Sequence, residues 1–187
     1  LMEKIAFIGM GNMACALAKG FVKSGKIAAK NIFAYAPNQI KLKENSLDIG
    51  FVPCSTLEEA VSSADTVFMA CKPYQIENIL PKIKHLLEGK ALVSIALGWN
   101  FNRYGNWLSH STRVQFVMPN TPALVGEGVF LFEKSNSLLP EERLSLMELF
   151  SSIGIVEELE GSLMGIGGAV SGCGPAFVDI FIEAYAD

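Results

Sequence analysis

Lys4-Ile5-Ala6-Phe7-Ile8-Gly9-Met10-Gly11-Asn12-Met13-Ala14 is the stretch whose reading decides the fold. Ile5 to Ile8 is a short apolar run, the pattern of a strand buried on both faces. After the glycines the period changes. From Asn12 to Ser24, Met13, Leu17 and Phe21 recur at spacing four on one face of a helix, which Gly25 stops. A G-x-G-x-x-A turn that follows a buried strand and opens a helix is the signature of a dinucleotide-binding βαβ unit. Gly9 permits the tight turn, Gly11 lets the backbone approach a pyrophosphate, and Ala14 allows close helix–strand packing. The helix start offers free N–H groups and a positive dipole end to the phosphates.

Further along, strands and helices alternate. Strands are expected at Asn31–Tyr35, near Phe51-Val52, and at Thr66–Ala70, Ala91–Ala96, Val114–Val117, Gly128–Phe132 and Ile155-Val156. Helices are expected over Gln39–Asn45, after a Ser55 or Thr56 cap with Glu58 and Glu59 in the first turn, beyond Pro73 to about Leu87, and from Pro140 to about Ile153. Such alternation implies an α/β, Rossmann-type fold: a mostly parallel sheet with helices on both faces. The boundary is placed at residue 160. Residues 1–160 form the nucleotide-binding domain, and 161–187 begin a second, helical one. After a turn at Ser171-Gly172-Cys173-Gly174-Pro175, a helix carries Phe177, Ile180, Phe181, Ala184 and Tyr185 on one face and stops at Asp187 without a terminator. A cut-off apolar helix of this kind reads as the start of a longer domain.

Composition narrows the function. Half of the 187 residues are hydrophobic and 18% are charged, with a net charge of −4 and a pI near 5.3, so nucleic acid is a poor partner. Cys15, Cys54, Cys71 and Cys173 form no Cys-x-x-Cys pair, and the two histidines, His85 and His110, read as surface. No metal site or disulfide framework is expected, and a reducing cytoplasm fits. Ile5–Ala18 lacks the basic flank of a signal sequence. Gly161–Val178 is uncharged over 18 residues, but six glycines and Pro175 argue against a membrane span.

In an open α/β sheet the ligand lies outside the carboxyl ends of the strands. The end of the second strand reads Tyr35-Ala36-Pro37-Asn38-Gln39, with no acid to hold a ribose 2′-hydroxyl, and Lys41 and Lys43 follow. That favours NADP over NAD, although the two lysines also suit a solvated helix face. Ala70-Cys71-Lys72-Pro73, Ile95-Ala96-Leu97-Gly98 and Met118-Pro119-Asn120-Thr121-Pro122 should edge the same crevice. Lys72 could be an acid or simply a cofactor-facing amine. Asn120 and Thr121 could present an amide and a hydroxyl toward the nicotinamide or bond within their own loop. No histidine is placed to activate Cys71 or Cys173. Trp99 and Trp107 read as packing.

Phe7 to Phe21, Ala70-Cys71-Lys72-Pro73, Met118 to Gly128 and Ser171-Gly172-Cys173-Gly174-Pro175-Ala176-Phe177 together resemble pyrroline-5-carboxylate reductases, in order and spacing along the whole chain. The resemblance implies reduction of 1-pyrroline-5-carboxylate to proline by NAD(P)H. It implies cofactor contacts at Ile8, Gly9, Met10, Gly11, Asn12, Met13, Ala36, Asn38, Ala70, Cys71, Lys72, Pro73, Ile95, Ala96 and Leu97. It also implies a homodimer or decamer. The substrate-carboxylate contacts and a threonine hydroxyl near the imine would lie beyond Asp187, so residues 1–187 alone should be inactive and no catalytic residue is assigned. Departures from relatives include Leu97 in place of a small residue, Leu57 or its neighbours where an Asn is common, and the loosening glycines 165, 167 and 168. Two other readings stand beside this one. One is a different imine or β-hydroxyacid reductase, whose usual lysine is missing because none follows Lys134. The other is a non-catalytic NADP-binding module.

Overall fold

The computed structural model describes residues 3–186. The opening strand is Ile5–Ile8 (β1), followed by Ile32–Tyr35 (β2), Val52–Pro53 (β3), Thr66–Met69 (β4), Ala91–Ser94 (β5), Arg113–Met118 (β6), Gly128–Glu133 (β7) and Gly154–Leu159 (β8). All eight join one sheet in the order β3-β2-β1-β4-β5-β6-β7-β8. The first six strands run parallel. β7 turns back antiparallel to β6, with Val117 opposite Phe132, and β8 runs parallel to β7. β1 is buried along its whole length between β2 and β4, with Ile5 opposite both Ile32 and Thr66. The stretch that mimicked a signal sequence is thus the central strand and first helix of the sheet.

The helices are Asn12–Lys23 (α1), Gln39–Ile49 (α2), Leu57–Ser62 (α3), Ile76–Ile83 (α4), Phe101–Gly105 (α5) and Pro140–Ser151 (α6). Each face of the sheet has its own core, because strand side chains alternate. Phe7, Phe68 and Val93 point into one core with Leu17 and Phe21 of α1, Leu42 of α2 and Phe150 of α6. Ile8, Met69 and Leu92 point into the other with Val61 of α3, Leu80 of α4 and Tyr104 of α5. Phe150 sits edge-on to Phe21, Phe130 and Phe132 at 4.8–5.3 Å between ring centres. The sequence reading contained no α5; its signal is Asn100, whose side chain accepts the N–H of Arg103 at 3.0 Å. Of the two candidate caps for α3, Thr56 serves, accepting from Glu59 N–H at 3.1 Å.

The end of the chain differs from expectation. Residues 161–186 form one continuous helical run: a 3₁₀ turn at Gly161–Leu163, Met164–Gly168 (α7), a π turn at Ala169–Cys173 and Gly174–Ala186 (α8). No loop interrupts it at 171–175. Pro175 has no N–H to give the carbonyl of Ser171 four residues back. The backbone widens into a π turn there, and Asn120 Nδ2 donates to that carbonyl at 2.9 Å instead. Gly167 and Gly168 do not loosen the helix but seat it, while Gly165 faces open space. A Cβ on Gly168 would stand 2.0 Å from Met118 Sδ, and one on Gly167 would stand 2.6 Å from Leu159 Cδ1. The 26-residue helix Gly161–Ala186 is therefore long and apolar enough, by length and composition, to cross a membrane, and its most apolar stretch has no buried share. Phe177, Ile180, Phe181 and Tyr185 are 63–79% exposed.

Candidate functional site

A cleft of about 1110 Å³ lies across the carboxyl ends of β1, β2, β4 and β5. β1 is the strand from which the sheet grows in both directions, so the loops on its two sides diverge and leave a crevice. Gly9 and Gly11 form its floor. Gly9 has φ +96°, and a Cβ there would lie 2.7 Å from the backbone nitrogen of Cys71. Its N–H donates to Tyr35 O at 2.8 Å, while Ala70 N–H donates to Ile8 O at 2.9 Å, so the turn is tied to both neighbouring strands. Gly11 is different. Its φ of −83° suits any residue, and a Cβ would meet nothing within 4 Å. Neither the fold nor its packing requires glycine there; a ligand pressed against the backbone would.

Gly11 is also the N-cap of α1. The first helical bond runs from Cys15 N–H to Gly11 O at 2.9 Å, and no side chain caps the preceding N–H groups. With no acid in that first turn, the helix end is a free donor set for an anion. A dinucleotide diphosphate fits this turn.

Every residue to which the resemblance assigned a cofactor contact, from Ile8 to Met13, Ala36, Asn38, Ala70 to Pro73 and Ile95 to Leu97, lines the cleft. At the end of β2, Asn38 Oδ1 accepts Lys41 N–H at 3.0 Å and caps α2. Lys41 lines the cleft and Lys43 does not, which separates two residues that sequence reading had left together. At the end of β4, burial pushes the Cys71 thiol up to about 11, so it stays protonated near neutral pH and is a poor nucleophile. Trp99, buried, donates its indole N–H to Pro73 O at 3.0 Å and locks the loops after β4 and β5 together. Leu97 stands 68% exposed on the rim.

At the end of β6 the two candidates part. Thr121 reaches the cleft. Asn120 is buried, accepts Val129 N–H at 2.8 Å and donates to Ser171 O, so its amide is spent on two other elements and not turned to the cleft. Sequence reading missed the wall contributed by the segment after Pro73. Tyr74, Asn78 and Lys82, spaced by four, all line the cleft, and that period was the available signal. His85 and His110 are exposed and lie outside it. Among the described residues, the lining holds three lysines, Lys41, Lys72 and Lys82, and no Asp, Glu or His.

Residues 4–98 match the protein family described as NADP oxidoreductase, coenzyme F420-dependent. Over 187 residues the chain is 33% identical to the pyrroline-5-carboxylate reductase of Treponema pallidum, covering 98% of this chain and 71% of that one. The chain belongs to the pyrroline-5-carboxylate reductase family. A solved pyrroline carboxylate reductase from Plasmodium falciparum, with NADP bound, superimposes with a TM-score of 0.87 at 34% identity, over 97% of this chain and 67% of that one. Likeness to the 3-hydroxyisobutyrate dehydrogenase of Mycobacterium tuberculosis, at 13% identity and a TM-score of 0.69, extends to the fold alone. The pyrroline-5-carboxylate reductase of Treponema pallidum continues for roughly 30% of its length outside the match.

Proposed function

We propose that the protein reduces 1-pyrroline-5-carboxylate to L-proline with NADPH, in the cytoplasm, as a homo-oligomer whose second domain begins at residue 161. The single observation that carries this reading is the cleft floor. Gly11 is a glycine the fold does not need, at a helix end with free N–H groups, in a cleft with three lysines and no acid. When bound, the nicotinamide supplies a hydride to the carbon of the C=N bond and leaves oxidised, while a proton ends on the nitrogen.

The chain's own residues bind, orient and exclude water. The backbone of Gly9 to Met13 holds the diphosphate. Pro73, the Trp99–Pro73 bond and Leu97 fix and cover the reacting end, and Thr121 borders it. A protonated imine is already electrophilic, so placing it against the nicotinamide provides most of what the reaction needs. A cleft without Asp, Glu or His suits such chemistry. Residues that hold the substrate carboxylate would come from the helical domain.

The test is NADPH oxidation by the full-length protein. It should depend on 1-pyrroline-5-carboxylate and yield proline. Saturable NADPH binding without turnover of this imine would favour a binding module instead, and turnover of a hydroxyacid alone would favour another reductase.

A further inference from the structure

We propose that Lys41 of α2 and Lys82 of α4 close as a two-helix clamp on a phosphate carried by the adenosine ribose, and so select NADPH over NADH. The inference rests on the nucleotide reading above and assigns selectivity within that site.

The diphosphate needs no lysine, because the open end of α1 already offers it backbone donors. Three cleft lysines on a chain of net charge −4 are therefore surplus to a plain dinucleotide. Lys72 follows β4 next to Pro73, on the side of Leu97 and Thr121. Lys41 follows Ala36 and Pro37 past the end of β2, and Lys82 belongs to α4, which packs against α3 and its first residue Leu57; all five line the cleft. A site for an unphosphorylated ribose would place a carboxylate at the end of β2, and none lines the cleft there.

Helical side chains lean toward their own N-terminus. Lys41, in the first turn of α2, thus leans back over the end of β2. Its ammonium is close enough to α1 to oppose, together with Lys19, the upward push of burial on the Cys15 thiol. Lys82 continues the cleft-facing row of Tyr74 and Asn78 and leans the same way, toward the carboxyl edge of the sheet.

Both amines are exposed, and neither has an ion-pair partner among the described residues. Of the acids on the surrounding helices, Asp48 pairs with Lys19, Glu77 with Arg103 at 3.0 Å, and Glu59 accepts Ser55 N–H at 2.7 Å, while Glu44 and Glu58 are exposed and lie outside the cleft lining. Two free cations from separate helices, with no competing carboxylate in the cleft, suit a doubly charged phosphate better than a neutral hydroxyl.

The test uses full-length wild type, Lys41→Ala, Lys82→Ala and, as a control, Lys43→Ala, which is exposed and outside the cleft. Each is titrated with NADPH, NADH and adenosine 2′,5′-bisphosphate, with melting temperature confirming the fold. Lys41→Ala and Lys82→Ala should each weaken NADPH and the bisphosphate by about tenfold and leave NADH within about twofold. Lys43→Ala should change neither. Equal loss for NADPH and NADH, or no loss from Lys82→Ala, overturns the clamp while leaving the nucleotide site standing. Failure of folded wild type to bind any of the three overturns the site itself and the clamp with it.

Discussion

Gly9 and Gly11 stand two residues apart in one motif and are glycine for opposite reasons. At Gly9 the backbone conformation and the nearby Cys71 and Ala70 backbone both exclude a side chain. At Gly11 the protein would accept one. Gly9→Ala should therefore cost stability by at least about 1–3 kcal/mol from backbone strain alone, visible as a lowered melting temperature of the full-length protein. Gly11→Ala should cost less than about 1 kcal/mol, the scale of a poorer N-cap, yet weaken NADPH binding by on the order of tenfold or more. Equal stability losses in the two variants, or unchanged NADPH affinity in Gly11→Ala, would remove the ligand reason for Gly11. The motif was legible because strand, turn and helix are contiguous in the chain. The fate of Asn120 was not, since its two partners lie 9 and 51 residues away.

Between elements, β6 is fastened to α6 by a half-buried ion pair, beside a bond from Arg143 of α6 to Gln115 Oε1 of β6 at 2.6 Å. Arg113 donates two parallel bonds to Glu142, at 2.7 and 2.6 Å, and Glu142 also accepts Leu139 N–H at 3.0 Å at the start of α6. Burial pushes the Glu142 carboxyl up, but the bonds from Arg113 and Leu139 outweigh it and hold the carboxyl below its ordinary value. A depressed acid stabilises the fold fully above its unfolded pKa, about 4.3, and loses that contribution as pH falls through the depressed value. Glu142→Gln keeps an oxygen for Leu139 N–H and removes the charge. It should lower unfolding stability by about 1 kcal/mol at pH 7, the scale of a solvent-screened pair, and the gap to wild type should close below about pH 4. Denaturant titrations at the two pH values check both points; a gap that does not depend on pH would mean packing, not charge, is lost.

The same scale shows where local reading stops. Pro140 and Gly25 mark helix ends through their own backbone chemistry: α6 starts at Pro140 and α1 stops just before Gly25. Gly165, Gly167, Gly168 and Pro175 carry the same local signals yet sit inside one helix. At Gly167 and Gly168 the conformational cost, about 1 kcal/mol for each glycine, is met by close packing on Leu131, Leu159 and Met118, and at Pro175 by the Asn120 bond to Ser171 O, all from segments earlier in the chain; Gly165 has no such neighbour.

For the molecule as a whole, one surface has no cover. Phe177, Ile180, Phe181 and Tyr185 of α8 are all 63–79% exposed on neighbouring turns, and a contiguous apolar face of that kind marks an interaction surface. In the proposed arrangement the rest of the helical domain and a second subunit close over it. Phe181→Glu in the full-length protein should then shift sedimentation toward smaller assemblies and reduce turnover, with NADPH affinity unchanged, because α8 lies outside the cleft. Unchanged assembly and turnover would place the subunit contact elsewhere.

The sequence by itself determined the βαβ start, the alternation that makes a mostly parallel sheet, and which strand ends meet at the crevice. All of these follow from periods of two and 3.6, from glycine turns and from the handed rules for joining strands, which act over a few residues at a time. Tertiary structure decided that Lys41 and Lys82 share a cleft while Lys43 does not, that the Asn120 amide serves the C-terminal helix, and that this helix runs unbroken. Those outcomes depend on approaches between segments up to 51 residues apart, where packing and hydrogen bonding outweigh the local preferences that a linear reading can see.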